Sequence, residues 1–411
     1  MLARSVYYLV KNYRNQTLSQ EEIRGLQSRL LNQVVEYCFS QNDFYSNRWR
    51  EKDISSEDFS SIEDLEKLPA VESEEVRNQM QGIGVAEETG DVSTSMVSAG
   101  SESGVRNRVL FDSQSHDWMT AVLFRGLVER GYRPFMKQIY YQKKPFDRDI
   151  IEDVLFPHER IDPSLSFKDQ IERLQGSKGG FLFYFSNVLF TLAKKIRQSD
   201  QEFEGYFDGI VCHGEMLSDE MQSLISEVFN SPVYGHFGAS EIHSLGWKCP
   251  DGGYHINSDS IIVELLDEER NRVSKGDVGE VTLTSLVKTR TPIIRYRIGD
   301  LGVKLSEGCS CDSNFPRVEF KGKRSNALNN QKEETVYSGE VIEALSSYEG
   351  ILAYRLVDSG KKLKYIPNKG FDEEILDRIR EDLSELGIDV SFEEVEHLNK
   401  TPGGKLPPID I

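Results

Sequence analysis

The sequence predicts an α/β protein: a large multi-layer N-terminal α/β domain over residues 1–323 and a small C-terminal α+β domain over 324–411. Three observations carry this. From Gly179 onward, continuous apolar runs alternate with capped amphipathic segments, the pattern of parallel strands covered by helices. Ser260–Leu266 and Gly279–Thr284 alternate on either side of a charged, turn-rich connection, which reads as an antiparallel hairpin. After Asn330 short strands and amphipathic helices form a block compact enough to be its own domain, with the boundary near Lys323–Asn326.

In chain order, MLARSVYYLVKNYR is interrupted by Arg4 and Lys11 and reads as neither a signal peptide nor a spanning helix. Ser19 and Glu22 form a capping box, followed by Ile23, Leu26, Leu30, Val34 and Cys38 at helical spacing. Asn42–Glu75 is polar and reads as short capped turns, and Met96–Leu110 holds too much Ser and Gly to be regular throughout. FLFYF (181–185) is a buried strand, with Ser186 as cap of a helix through Val188, Leu192 and Ile196. Gly209–Cys212 is a second strand, Gly214-Glu215 a turn, Ser218 the start of a helix with Met221, Leu224, Ile225 and Val228, and Val233-Tyr234 a third strand.

Ligands in such sheets sit beyond the carboxyl ends of the strands, the position of His213-Gly214-Glu215 and of Phe237–Glu241. Ile293-Ile294 reads as a short buried strand, and Gly299 as a turn that delivers Asp300. Val341–Leu345 is helical, and Leu352–Val357, Leu363–Ile366 and Val390–Val395 are strands. Phe371–Leu386 is a helix with Ile375, Ile379, Leu383 and Leu386 inward, ended by Gly387.

The 411 residues exceed one ordinary core. A hydrophobic share of 38% with 10% aromatics suffices for packed cores and argues against global disorder. The net charge of −19 argues against a nucleic-acid-binding face and against an anionic membrane surface, while leaving room for a local basic pocket. Five cysteines over this length are no disulfide framework, and a cytoplasmic location is expected.

Two constellations suggest chemistry. In RYRIGD (295–300), an Asp held at a strand end can accept from both hydroxyls of a diol, or simply close the strand. Cys249, His255, Cys309 and Cys311 supply the thiolates and imidazole of a closed tetrahedral zinc, or are four unrelated loop groups. Cys38 and Cys212 lie in apolar runs and belong to the core.

The stretches SAGSESG (98–104), HFGASE (236–241), RYRIGD (295–300) and TPGGK (401–405), in that order, resemble the adenylate-forming superfamily of acyl-CoA ligases. Within it the chain looks most like the phenylacetate-CoA ligase and capsular polysaccharide biosynthesis branch, from about Leu65 to Lys405. The resemblance implies ATP- and Mg²⁺-dependent activation of a carboxylic acid to an acyl-adenylate, then transfer to a thiol such as coenzyme A. It implies a mobile C-terminal domain that carries the catalytic Lys405.

By the same resemblance Phe237 stacks beside adenine, Gly238 belongs to the same nucleotide-binding motif, Ser240 bonds the α-phosphate and Glu241 holds Mg²⁺; His236 and His243, which flank the motif, are walls of the pocket or structural. Asp300 holds the ribose, with Tyr296 and Arg297 matching the family Tyr-Arg; an ion pair is the alternative for Arg297. Gly214-Glu215 stands beside adenine, unless Glu215 is only a carboxylate at a helix N-terminus. Ser98, Gly100, Ser101, Ser103 and Gly104 cradle the β- and γ-phosphates. This loop departs from the family pattern by Glu102, and Arg106 or Arg108 takes the place of its basic residue. At the hinge, Lys323 or Arg324 takes the family Arg role, and Asn326 replaces the pivot Asp. The Cys/His set resembles one found in the phenylacetate-ligase branch.

The expected partners are a small carboxylic acid and a thiol acceptor, with no nucleic acid and no membrane; a homodimer is left open. Two other functions stay open on the sequence: an acyl-protein or carrier-protein synthetase, and a nucleotide-binding protein without catalysis.

Overall fold

A computed structural model describes residues 2–72, 74–75, 94–97, 108–143, 150–199, 203–239, 241–306 and 308–410. The chain groups into two compact units, Met1–Leu127 with Phe237–Phe320, and Val128–His236 with Lys321–Ile411.

In the first unit the helix Gln20–Gln41 starts at the predicted capping box: Ser19 Oγ accepts the Glu22 N–H while the Glu22 carboxylate accepts the Ser19 N–H. Its buried stripe runs through Ile23, Gln27, Leu31, Val34, Val35 and Cys38. Over 42–75 the sequence predicts turns only, but Asp43–Arg50 is an α-helix capped by Asn42, whose side-chain oxygen accepts the Tyr45 N–H. Tyr45 and Trp49, four residues apart on one face, are buried in the core, which polar neighbours conceal in the sequence. Short 3₁₀ turns at Ser56–Asp58 and Ile62–Lys67 agree with the reading.

The hairpin is present: Ile261–Leu266 pairs antiparallel with Val278–Ser285, and the latter pairs with Tyr296–Lys304. Arg317–Lys323, Tyr254–Ile256 and Gly246–Lys248 continue the order. Two expectations need correction here. Ile293 and Ile294 are fully buried but irregular, because Arg295 at φ 45° breaks the extended backbone just before the strand begins at Tyr296. Gly299, at φ 82°, makes a bulge and not a turn: the register jumps between Glu280 opposite Leu301 and Thr282 opposite Arg297. Thr94–Val97 and Arg108–Phe111 pair antiparallel on either side of the Ser/Gly stretch.

The second unit holds parallel strands in the order His158–Ile161, Gln138–Tyr141, Phe181–Phe185, Gly209–His213, Val233–Phe237. All of Phe181–Phe185 is buried, as a strand covered on both faces requires. The helices Ser186–Arg197 and Asp219–Phe229 bury Val188, Leu192, Met221 and Ile225. Ser218 caps the second as expected. Ser186 does not cap the first; it is already helical, and its hydroxyl donates to the Glu215 carbonyl.

The C-terminal residues of this unit build a three-stranded sheet from Ile351–Val357, Lys362–Pro367 and Ser391–Glu394, with the helices Ser338–Ser346 and Glu373–Glu385. Ile375, Ile379 and Leu383 face its core as predicted, and Gly387 follows at φ 72°. Ile342, Ala353 and Leu406 join the cluster around the parallel strands. Among the described residues no helix is long and apolar enough to cross a membrane.

Candidate active site

In the second unit the strand Gly209–His213 ends in a left-handed Gly214, φ 75°, which turns Glu215 back toward the sheet. A Cβ on Gly214 would lie 2.9 Å from Phe185 Cδ1 and 3.3 Å from Lys405 Cε, so glycine is required both by conformation and by space. Glu215 Oε2 accepts the Asn187 N–H at 3.1 Å, and Oε1 accepts the Leu406 N–H at 2.9 Å. Lost hydration raises the Glu215 pKa, with Lys405 and these amides pulling the other way. His213, edge-on to Phe185, is held at about 4 by desolvation and then by the charge of Lys405, and is neutral at pH 7.

Lys405 closes a tight turn. Thr401 N–H bonds the Lys405 carbonyl at 2.9 Å, and Lys405 N–H bonds Thr401 Oγ1 at 3.1 Å. Its Nζ lies 5.7 Å from the Phe185 ring centroid. The Tyr141 hydroxyl donates to the Gly404 carbonyl at 3.3 Å, and Lys400 Nζ donates to Tyr141 Oη at 3.0 Å. Four sequence candidates from distant parts of the chain thus share one neighbourhood: His213, Gly214, Glu215 and Lys405. His236 lies on the neighbouring strand, paired with His213. At the expected hinge Lys323 and Arg324 are exposed, while Asn326 is buried and donates to the Ile409 carbonyl. Half-buried Tyr140 stacks on buried Phe183, and Tyr184 stacks on Tyr141 in the core.

In the first unit Phe237 lies flat on Phe320, centroids 3.8 Å apart and 8° from parallel, with Tyr254 edge-on. Gly238 follows, exposed. Glu241 is buried, and its Oε1 accepts the Tyr296 hydroxyl at 3.3 Å. Asp300 is half-buried behind the Gly299 bulge. Arg297 is buried between Glu280 and Glu72, the latter at 2.8 Å, which is the ion-pair arrangement. Ser98, Gly100, Ser101, Ser103, Gly104 and Ser240 lie outside the described residues, as do Glu102, Arg106 and the Arg108 side chain.

Cys249, His255, Cys309 and Cys311 converge in the same unit, their ligand atoms all within 4.8 Å of one another. His255 Nε2 is 3.0 Å from Cys311 Sγ and 3.4 Å from Cys309 Sγ. His255 Nδ1 bonds the Phe315 carbonyl at 2.7 Å, which aims Nε2 at the sulfurs as in a metal-bound imidazole. Ligands on a tetrahedral zinc stand about 3.5–3.8 Å apart, so the donor set and spacing fit that ion with small adjustment. A groove of about 700 Å³ runs beside this cluster, lined in part by Arg24, Arg272, Lys304 and Arg317, and none of the nucleotide candidates lines it.

The chain is 23% identical over 317 residues to a phenylacetate-coenzyme A ligase of Thermus thermophilus, covering 74% of this chain and 70% of that one. It is 20% identical over 410 residues to Protein CapK of Staphylococcus aureus, covering 92% and 87%. Its fold matches a 2-hydroxyisobutyryl-CoA ligase in the postadenylation state with a TM-score of 0.77, at 18% identity over 97% of this chain and 91% of the other. The fold is the one shared by such solved acyl-CoA ligases. The two similar sequences point to the phenylacetate-CoA-ligase-like branch of the adenylate-forming enzymes. No family model matches it.

The motifs leave two of their neighbours unannounced. Phe320 and Leu406 carry no motif, yet Phe320 stacks on Phe237 and the Leu406 amide meets Glu215. The inward alternation of Val318 and Phe320 in RVEFKGK was available as a signal for Phe320. Nothing local in the sequence marks Leu406 as the residue whose amide meets Glu215.

Proposed function

We propose that the chain is an AMP-forming acid–thiol ligase. A carboxylate attacks the α-phosphorus of ATP, pyrophosphate leaves, and the acyl-adenylate then passes its acyl group to a thiol, that of coenzyme A, releasing AMP. The observation that carries this reading is the Lys405 turn beside His213-Gly214-Glu215 at the carboxyl end of the parallel strands. A mobile ammonium there can neutralise charge building on the α-phosphate during attack. The curated relative's name and the solved ligase with its adenylate support the same activity.

In this reading residues 1–323 are the AMP-binding domain and 324–411 a mobile lid that carries Lys405. Phe237 presents its ring to adenine, with its other face backed by Phe320. Asp300 accepts from the ribose hydroxyls, and Ser240 and the 98–104 loop bind phosphate. Glu241 offers a hard oxygen donor for Mg²⁺, which would supply charge neutralisation on the phosphates. Arg297 orders the strand through Glu280 and Glu72. The four-residue Cys/His cluster holds a structural zinc that ties the turn after Gly246–Lys248 to the 309–311 loop. The acid is aromatic or of medium size and apolar, and the enzyme works in the cytoplasm.

Carboxylate-dependent ATP–pyrophosphate exchange over a panel of such acids, beside Lys405→Ala, tests the proposal. Exchange with one acid class, reduced at least about a hundredfold in the variant, is expected. Nucleotide binding by calorimetry without exchange for any acid would overturn it and favour a non-catalytic nucleotide binder.

A further inference from the structure

The Glu215 carboxylate is committed to the main chain on both oxygens. One takes the Asn187 N–H, a donor left open in the first turn of the twelve-residue helix Ser186–Arg197, where the helix dipole favours a negative charge. The other takes the Leu406 N–H, the amide directly after Lys405. The loop it holds is internally closed: Thr401 N–H bonds the Lys405 carbonyl, Lys405 N–H bonds Thr401 Oγ1, and Gly404 N–H bonds the Thr401 carbonyl at 2.8 Å. Such a turn moves as one body, so the points that tie it decide where the ammonium stands. Leu406 is itself buried in the hydrophobic cluster of the unit, which places its amide within reach of Glu215.

We propose that Glu215 is the docking post of the Lys405 loop: a positioning residue that sets the ammonium by gripping the Leu406 amide, and not a reader of the adenine ring. The inference rests on the ligase reading for its catalytic consequence, but the docking itself does not. The chemistry demands glutamate. Two N–H donors converge on one side chain, and only a carboxylate offers an acceptor to each. A glutamine would accept from one and turn its own NH₂ against the other; an aspartate is one methylene too short to span both. Gly214 serves the same end, since any Cβ there would press on Phe185 and crowd the Lys405 methylenes.

The test uses the full chain with Glu215→Gln and Glu215→Ala, the first as the variant that keeps volume should the second fail to fold. Amide hydrogen exchange over residues 398–409 reads docking without reference to activity. Loss of a hydrogen bond to a charged acceptor should speed exchange at Leu406 roughly ten- to a hundredfold, with residues 219–229 unchanged. Pyrophosphate exchange reads the consequence: kcat should fall at least about tenfold, KM for ATP should stay within about twofold, and the preference for ATP over ITP should persist. Unchanged exchange at Leu406 in both variants would overturn the proposal. So would a raised KM for ATP together with lost discrimination against ITP, which lacks the exocyclic amino group and would place Glu215 on the base. If the unmodified protein shows no pyrophosphate exchange with any acid, the ligase reading fails, and amide exchange alone still decides the docking.

Discussion

Lys194 offers a sharp test of the energetics of the second unit. Its side chain is 2% exposed, and Nζ donates to the carbonyls of Tyr348 at 2.9 Å and Ile351 at 2.8 Å, tying the helix Ser186–Arg197 to the C-terminal sheet. Desolvation, only partly offset by Glu349, lowers its pKa from 10.5 to about 7. Above about pH 7 the folded chain sheds this proton, while the unfolded chain keeps it to about pH 10.4. The unfolded state therefore binds more protons across that window, and stability must rise with pH by up to about 1.4 kcal/mol per unit. Below the window both states are protonated and the cost of the buried charge is constant.

Lys194→Met keeps an unbranched apolar stem of nearly the same length and removes the titration, at a cost of about 1–3 kcal/mol for each carbonyl left without a donor. Urea unfolding of both proteins at about pH 7 and about pH 9.5 isolates the effect, because other titrations cancel in the difference. The stability of the natural protein relative to the variant should grow by about 3 kcal/mol over that interval. A difference that stays flat, or shrinks, would refute the reasoning. It would mean that the two carbonyls and the Phe190 ring, 4.4 Å from Nζ, stabilise the ammonium enough to cancel its desolvation.

Two further outcomes follow from the geometry. Gly214→Ala forces a Cβ into a left-handed backbone against Phe185, so unfolding should become easier by about 1–3 kcal/mol in denaturant titrations, and pyrophosphate exchange should fall as the Lys405 turn is pushed aside. Cys309→Ser should lower zinc, measured by elemental analysis of the purified protein, from about one per chain to a small fraction and lower the melting temperature; Cys212→Ser, in a hydrophobic core and not one of the four clustered residues, should leave zinc content unchanged.

Much of the molecule was legible in the sequence wherever the signal was local. The capping box at Ser19, the buried run Phe181–Phe185, the Ser218 cap, the inward face of Glu373–Glu385 and its Gly387 stop are all set by residues within a few positions of one another, and each is present. Residue type and motif order also nominated Lys405, Gly214-Glu215 and the Cys/His set; the fold brings Lys405 beside Gly214 and gathers the four Cys/His ligand atoms.

Tertiary structure decided the rest. The helix Asp43–Arg50 exists because Tyr45 and Trp49 find a core to enter, which its polar sequence does not announce. The bulge at Gly299 depends on the partner strand Val278–Ser285, since a register shift is a property of a pair. Arg297 meets Glu72 and Glu280, and Glu215 meets the Leu406 amide 191 positions away. Composition and spacing report which groups a chain possesses; a hydrogen bond between such distant groups is set by how the strands and helices pack, which no local pattern encodes.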